Sequence, residues 1–196
     1  MVTKEELISF QRDIKTLFLD GRIRAPIHLS RGNEEPLIEI FKAVKKRDWV
    51  FSNHRSHYHA LLKGINRYWL RREILDGRSI HINSAKHRFM SSAIVGGCLP
   101  IAVGVAMAIK KKRSLIHVWV FVGDMAAESG TFAVCTKYAA RHKLPITFIV
   151  EDNGLSTNTP TQLVWGKNIE AKADIIRYRY QRGFPHQGAG KWVIFK

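Results

Sequence analysis

A chain of 196 residues that is 45% hydrophobic and 24% charged has the make-up of a globular protein, which excludes intrinsic disorder, and its length suits one folded domain over residues 1–196. Two cysteines, Cys98 and Cys135, both in apolar stretches, exclude a disulfide scaffold and suit a reducing, cytoplasmic setting. The charge is the unusual figure: 32 Lys+Arg against 16 Asp+Glu give +16.

In chain order, Leu7, Ile8, Ile14, Leu17 and Phe18 recur at helical spacing, so Glu5–Leu19 is predicted as a helix that Asp20-Gly21 ends. A loop punctuated by Pro26 and Gly32 leads to a second helix over Glu34–Lys46. Asn53–Gly64 carries His54, His57 and His59 beside Arg55, Ile65–Asp76 reads as helix, and Gly77–Ser92 reads as loop. Met90–Ile109 has no charge, but Gly96, Gly97 and Pro100 break its first half. What remains is too short to span a bilayer, so the expectation is a buried helix over Cys98–Lys112 and no membrane contact. Charges scattered through Met1–Lys15 read against a secretory signal.

Leu115–Val122 is a near-continuous β-rich run, as expected of an interior parallel strand buried on both faces. Glu128–His142 then supplies the crossover helix, Pro145 stops it, and Ile146–Val150 is the next strand. A last apolar run, Lys191–Phe195, is predicted as a terminal strand after the Pro185–Gly190 loop. The fold class is therefore α/β, a three-layer structure of parallel sheet with helices on both faces.

Open parallel sheets bind ligands outside the carboxyl ends of their strands, where Gly123-Asp124 and Asp152-Asn153 both fall. A carboxylate and an amide oxygen suit a hard cation such as magnesium, and a helix starting near Ala127–Glu128 would favour a diphosphate beside it. Each feature has a plainer reading: Asp124 as a helix cap, Arg55 as a surface base, and His54, His57 and His59 as structural or zinc-binding histidines. The basic residues fall in short scattered clusters without a nucleic-acid-binding signature, so a solvated face or an acidic partner is preferred to a nucleic-acid-binding module.

Gly123-Asp124, a helix, Leu144-Pro145, a strand and Asn153-Gly154 together resemble the thiamine diphosphate motif. The chain as a whole resembles the alpha subunit of thiamine diphosphate-dependent 2-oxoacid dehydrogenases of the pyruvate and acetoin types. The likeness includes Arg24-Ala-Pro-Ile-His-Leu-Ser, His54-Arg55-Ser56-His57, Gly77-Arg78-Ser79-Ile80-His81 and His87-Arg88-Phe89 before Ile94-Val95-Gly96. Asp152-Asn-Gly-Leu-Ser156 is also similar to a stretch of the transketolase N-terminal domain.

The resemblance implies a thiamine diphosphate-binding fold and a site assembled from named positions. Asp124 and Asn153, with the carbonyl of Leu155, would hold Mg2+. Arg55 and the Gly123-Asp124-Met125-Ala126 turn would hold the diphosphate, Ala93, Ile94 and Val95 would lie near the aminopyrimidine, and His57 and His81 would stand near the reacting carbon. It also implies a beta-type subunit that supplies the glutamate activating the aminopyrimidine, an α2β2 assembly, and a 2-oxo acid or ketol substrate. Three departures stand out: Met125 in place of the third glycine of Gly-Asp-Gly, Met90-Ser-Ser-Ala93 in place of a glycine-rich stretch, and a second half shorter than the family's after Trp165-Gly166. They leave a minimal cofactor-binding subunit as the expectation, with a split transketolase-like or carboligase subunit and a catalytically silent homologue as alternatives.

Overall fold

The computed structural model describes residues 2–166 and 174–195. Helix α1 (Lys4–Leu19) starts on a reciprocal cap in which Thr3 Oγ1 accepts from the Glu6 amide and the Glu6 carboxylate accepts from the Thr3 amide, satisfying two otherwise free donors. There follow α2 (Glu34–Ala43), β1 (Trp49–Ser52), α3 (His57–Leu62), α4 (Arg67–Leu75) capped by Asn66, β2 (Asn83–Ser84), a 3-10 turn and β3 (Phe89–Ser91). The second half contributes α5 (Cys98–Lys111), β4 (Val118–Gly123), α6 (Asp124–Ala127), α7 (Gly130–Arg141), β5 (Ile146–Asp152), the short hairpin of β6 (Leu155–Ser156) and β7 (Thr159–Pro160), α8 (Thr161–Trp165) and β8 (Ile175–Arg179).

The main sheet runs β2-β3-β1-β4-β5-β8, parallel throughout except for β2. From β1 the chain moves one way to β3, then crosses back to lay β4, β5 and β8 on the other side. The order thus reverses between β1 and β4, which opens a crevice at the carboxyl ends of those two strands. Strand periodicity then fills both faces. Phe121 and Ile149 point into a core with α1–α4, formed by Leu7, Phe10, Ile14, Leu37 and Tyr58 among others. Val118, Val120, Phe148 and Val150 point the other way, against Leu99, Ala102 and Ala106 of α5 and Phe132 and Cys135 of α7. This is the α/β arrangement expected, with helices on both faces of a mostly parallel sheet.

Several element boundaries and identities differ from the sequence expectation. The second helix stops at Ala43 because Val44 turns extended. The crossover helix starts at Gly130, where the Ser129 hydroxyl accepts from the Phe132 amide, and Asp124–Ala127 forms a separate turn of helix at the end of β4. Strands β1, β3 and β8 and helix α3 were not expected. Lys191–Phe195 is not a strand: β8 already occupies the sheet position beyond β5, and Trp192 and Ile194 are left exposed. Both cysteines are buried and unpaired, and no helix among the described residues is long and apolar enough to cross a membrane.

Candidate functional site

The crevice at the reversal point is a cleft lined by the ends of four parallel strands. β1 delivers Asn53, His54 and Arg55; β4 delivers Val122 through Ala126; β5 delivers Glu151, Asn153 and Leu155; the chain after β8 delivers Tyr180, Arg182 and His186. Ile94, Val95 and Gly96, from the turn between β3 and α5, form its apolar rim, and Ile94 and Val95 are exposed. In the pairing of β4 with β5, Gly123 lies beside Glu151, so the Asp124 turn and the Asn153 turn emerge as neighbours.

Asp124 is buried, and its carboxylate accepts from the Thr161 hydroxyl of α8. Burial raises its pKa above the usual carboxylate value, with the Thr161 hydrogen bond pulling the other way. Asn153 donates to the Tyr180 hydroxyl at 3.1 Å while its side-chain oxygen accepts from the Leu155 amide at 3.0 Å. A carboxylate and an amide oxygen side by side are hard ligands of the kind magnesium takes. Met125 lines the cleft, and its thioether sulfur accepts from the Trp165 indole at 3.1 Å, which ties the α6 turn to α8.

Arg55 supplies the opposite charge. It is 9% exposed, and its guanidinium donates to the carbonyls of Leu29 and, at 3.2 Å, His186. No carboxylate pairs with it among the described residues. A buried cation that bonds only neutral oxygens stays charged and is incompletely compensated, and an anion in the cleft would complete it. The donor set thus fits a diphosphate held through a divalent cation: oxygen ligands on one wall, and on the other a guanidinium that bonds only carbonyls.

Three histidines from distant parts of the chain meet beside Arg55. The rings of His28 and His54 lie 4.4 Å apart, those of His28 and His186 4.9 Å, and those of His54 and His186 5.6 Å. Burial first, then the neighbouring histidines and Arg55, hold His28 at about 3; burial and then Arg55 hold His54 at about 4. His186 is also lowered, by burial and then Arg55. All three are therefore neutral near pH 7, and the buried Nδ1 of His28 has no hydrogen-bond partner. Their nitrogens lie close enough to gather on a metal ion, within 4.8 Å of one another. The adjacent Arg55 charge opposes a second cation there and favours a carboxylate or a polarised carbonyl.

Of the residues singled out from sequence, the fold brings Arg55, Ile94, Val95, Gly123, Asp124, Met125, Ala126, Asn153 and Leu155 to this one cleft. Ala93 sits beside the rim without lining it. His57 is elsewhere: it is fully buried in α3, with Nε2 2.9 Å from Ser79 Oγ and Nδ1 3.4 Å from Gln11 Oε1, and burial followed by Arg55 lowers it to about 3. His81 is exposed on the loop before β2, away from the cleft. Nor do His54, His57 and His59 converge as a zinc set would require, because His59 is turned to Ser52 at 2.7 Å and to Glu151 at 3.3 Å. Sequence reading missed His28, Glu151, Tyr180, Arg182 and His186. His28 lies in the Arg24–Ser30 segment that carries the resemblance, but nothing local pairs it with His54 or His186, since the cluster is made only by folding.

A parallel α/β sheet with a cleft at its reversal point, lined by the buried Asp124 and Arg55, defines the class: a cofactor- or nucleotide-binding α/β fold. The family is specific. The family model described as "Dehydrogenase E1 component" matches residues 4–173, and the chain belongs to that family. It is 29% identical over 179 residues to the chloroplastic pyruvate dehydrogenase E1 component subunit alpha-3 of Arabidopsis thaliana, covering 78% of this chain and 42% of that protein. It is 30% identical over 165 residues to the alpha subunit of acetoin:2,6-dichlorophenolindophenol oxidoreductase of Bacillus subtilis, covering 79% and 50%. With the corresponding subunit of Cupriavidus necator the figures are 29% over 191 residues, covering 87% and 57%. The chain spans about half the length of these relatives.

Proposed function

We propose that this chain is an alpha-type subunit of a two-chain thiamine diphosphate- and Mg2+-dependent enzyme that acts on a 2-oxo acid and passes on the resulting acyl unit. The observation that carries the reading is the meeting of the Arg55 guanidinium, which has no carboxylate partner among the described residues, with Asp124 and Asn153 across one cleft. Membership of the E1 family supports thiamine diphosphate as the cofactor. When bound, that cofactor supplies a nucleophilic carbon that attacks a keto group and accepts the electrons released by decarboxylation.

The chain's own residues would bind and orient. Asp124, the Asn153 side-chain oxygen and the Leu155 carbonyl would hold Mg2+, and Arg55 would bond the diphosphate. Ile94 and Val95, with Ala93 beside them, would pack against the aminopyrimidine ring and keep water from it. His54 and His186 line the cleft as neutral imidazoles, so each can donate a hydrogen bond from its N–H to the substrate carboxylate or keto oxygen. His57, bonded to Ser79 and Gln11 within α3's core, would act only by holding that helix.

A beta-type subunit completes the site in this reading, supplying the glutamate that activates the aminopyrimidine within an α2β2 assembly. Exposed apolar side chains support a partner surface: Ile94 and Val95 at the cleft rim, Ile101 and Met107 on α5, and Val134 on α7. Native mass spectrometry of the chain with Mg2+ and thiamine diphosphate, alone and with a co-expressed beta-type partner, tests the reading. An adduct of both masses that Asp124→Ala removes is the expected result. A folded chain that takes up no cofactor in either state would refute it.

A further inference from the structure

Glu151 is a buried carboxylate at the head of the cleft, and the function proposed above gives it no task. Strand alternation on β5 turns it to the same face as Ile149, toward the α1–α4 core. It is 5% exposed. Its Oε1 accepts from the Tyr178 hydroxyl at 2.6 Å, the Asn33 amide at 3.2 Å and His59 Nε2 at 3.3 Å, and its Oε2 accepts from the Asn53 amide at 3.3 Å. Four elements thus end on one side chain: the entry to α2, the exit of β1, α3 and β8.

An ionised carboxylate has about two lone-pair sites on each oxygen, and here protein donors crowd Oε1 with three bonds and give Oε2 one. Glu151 thus spends most of its acceptor capacity on protein donors although it lines the cleft. Among those donors, Asn53 is the one that leads to the site. While Asn53 Nδ2 bonds Glu151, its Oδ1 accepts from the Arg55 backbone amide at 2.7 Å and so fixes the turn from which Arg55 extends. On the other side Asn33, four residues along the chain from Leu29, whose carbonyl receives the Arg55 guanidinium, donates to the same carboxylate, while its own Oδ1 has no partner among the described residues. Burial works against the charge, but His59, Tyr178 and Asn33 outweigh it and keep Glu151 ionised.

We infer that Glu151 is a positioning residue that holds Arg55 and the His28 segment at a fixed distance from the Asp124 turn, through Asn53 and Asn33. The inference rests on the cofactor reading for its ligand and on the hydrogen bonds above for its geometry. It predicts that charge and reach at position 151 control anion affinity without contact.

The test uses the full chain, with inorganic pyrophosphate plus Mg2+ and then thiamine diphosphate plus Mg2+ as probes in titration calorimetry. Amide hydrogen exchange of the segment spanning residues 53–60 and the thermal midpoint are read in parallel. Glu151→Gln presents donors to donors, and Asn53→Ala cuts the link while leaving the other three bonds. Both should weaken either probe about tenfold or more, the scale of a lost charge-assisted hydrogen bond. Both should also speed exchange at residues 53–60, and Glu151→Asp, which keeps the charge, should restore part of the loss. In an Arg55→Met background Glu151→Gln should change affinity no further, since both act through one group. A Glu151→Gln chain with a lower midpoint but unaltered affinity and exchange would overturn the inference, as would losses additive with Arg55→Met. If the wild-type chain binds neither probe, alone or with its partner, the cofactor reading fails, and exchange at residues 53–60 still decides the positioning role.

Discussion

Gly32→Ala is a stringent test of how the His28 segment is seated. Gly32 has φ +96°, and a Cβ built there would stand 2.0 Å from the Gln181 carbonyl oxygen. The obstacle is backbone, so no rotamer change relieves it. Two penalties combine: about 1–2 kcal/mol for an L side chain in the left-handed region and about 1–3 kcal/mol for forcing packed segments apart. The sum, about 2–5 kcal/mol, corresponds to a thermal midpoint lowered by about 4–20 °C in a chain of this size. Gly64→Ala is the matched control. Its φ is +90° and nothing lies within 4 Å of the added carbon, so it bears the conformational penalty alone. Differential scanning calorimetry of both variants separates the terms, and the displaced Gln181 neighbourhood, which carries Tyr180 and Arg182, should also lose ligand affinity in Gly32→Ala only. Equal midpoint shifts in the two variants would refute the close approach of residues 32 and 181.

Asp124→Asn should abolish Mg2+-dependent cofactor binding yet stabilise the ligand-free chain by about 0.5–2 kcal/mol, because it removes a charge that burial disfavours; calorimetry with and without ligand reads both. Stability should depend on acid through the histidines. His28, His54 and His57 have folded pKa values of about 3, 4 and 3 against 6.5 unfolded, so the unfolded chain binds more protons between those limits. Stability is then greatest above pH 6.5 and falls toward pH 4, by about 1.4 kcal/mol per pH unit for each histidine within its window. A denaturant series from pH 7 to pH 4 measures that slope, and His28→Gln should flatten it. Trp165→Phe removes the donor to Met125 and should loosen the α6 turn, seen as faster amide exchange at residues 124–127.

The parts of the fold that could be read in advance are those in which local pattern and burial agree. Val118–Gly123 and Ile146–Asp152 are interior strands buried on both faces, so their apolar runs and the proline between them were sufficient. Trp49–Ser52 is as deeply placed but only four residues long, too short to register against the basic stretch before it. Ile175–Arg179 alternates arginine with apolar residues because it borders solvent, and Arg177 and Arg179 are engaged with Asp152. Read without the sheet, that pattern looked like a charge cluster. The site divides in the same way. Asp124 and Asn153 follow two legible strands, whereas His28 meets His186 beside the cleft only once β8 has carried the chain's last segment back beside residues 28–32.

The two cores on opposite faces of the sheet share no side chain, and the cleft straddles them. Arg55 leads into the α1–α4 layer, while Ile94–Gly96 and the Asp124 turn lead into the α5 and α7 layer. A molecule seated between them would act as a rivet through the laminate, joining two layers that pack on opposite faces of the same strands. Loss of packing in either layer, however far from the cleft, would then register as a change in its width, and filling the cleft would make the two layers melt as one.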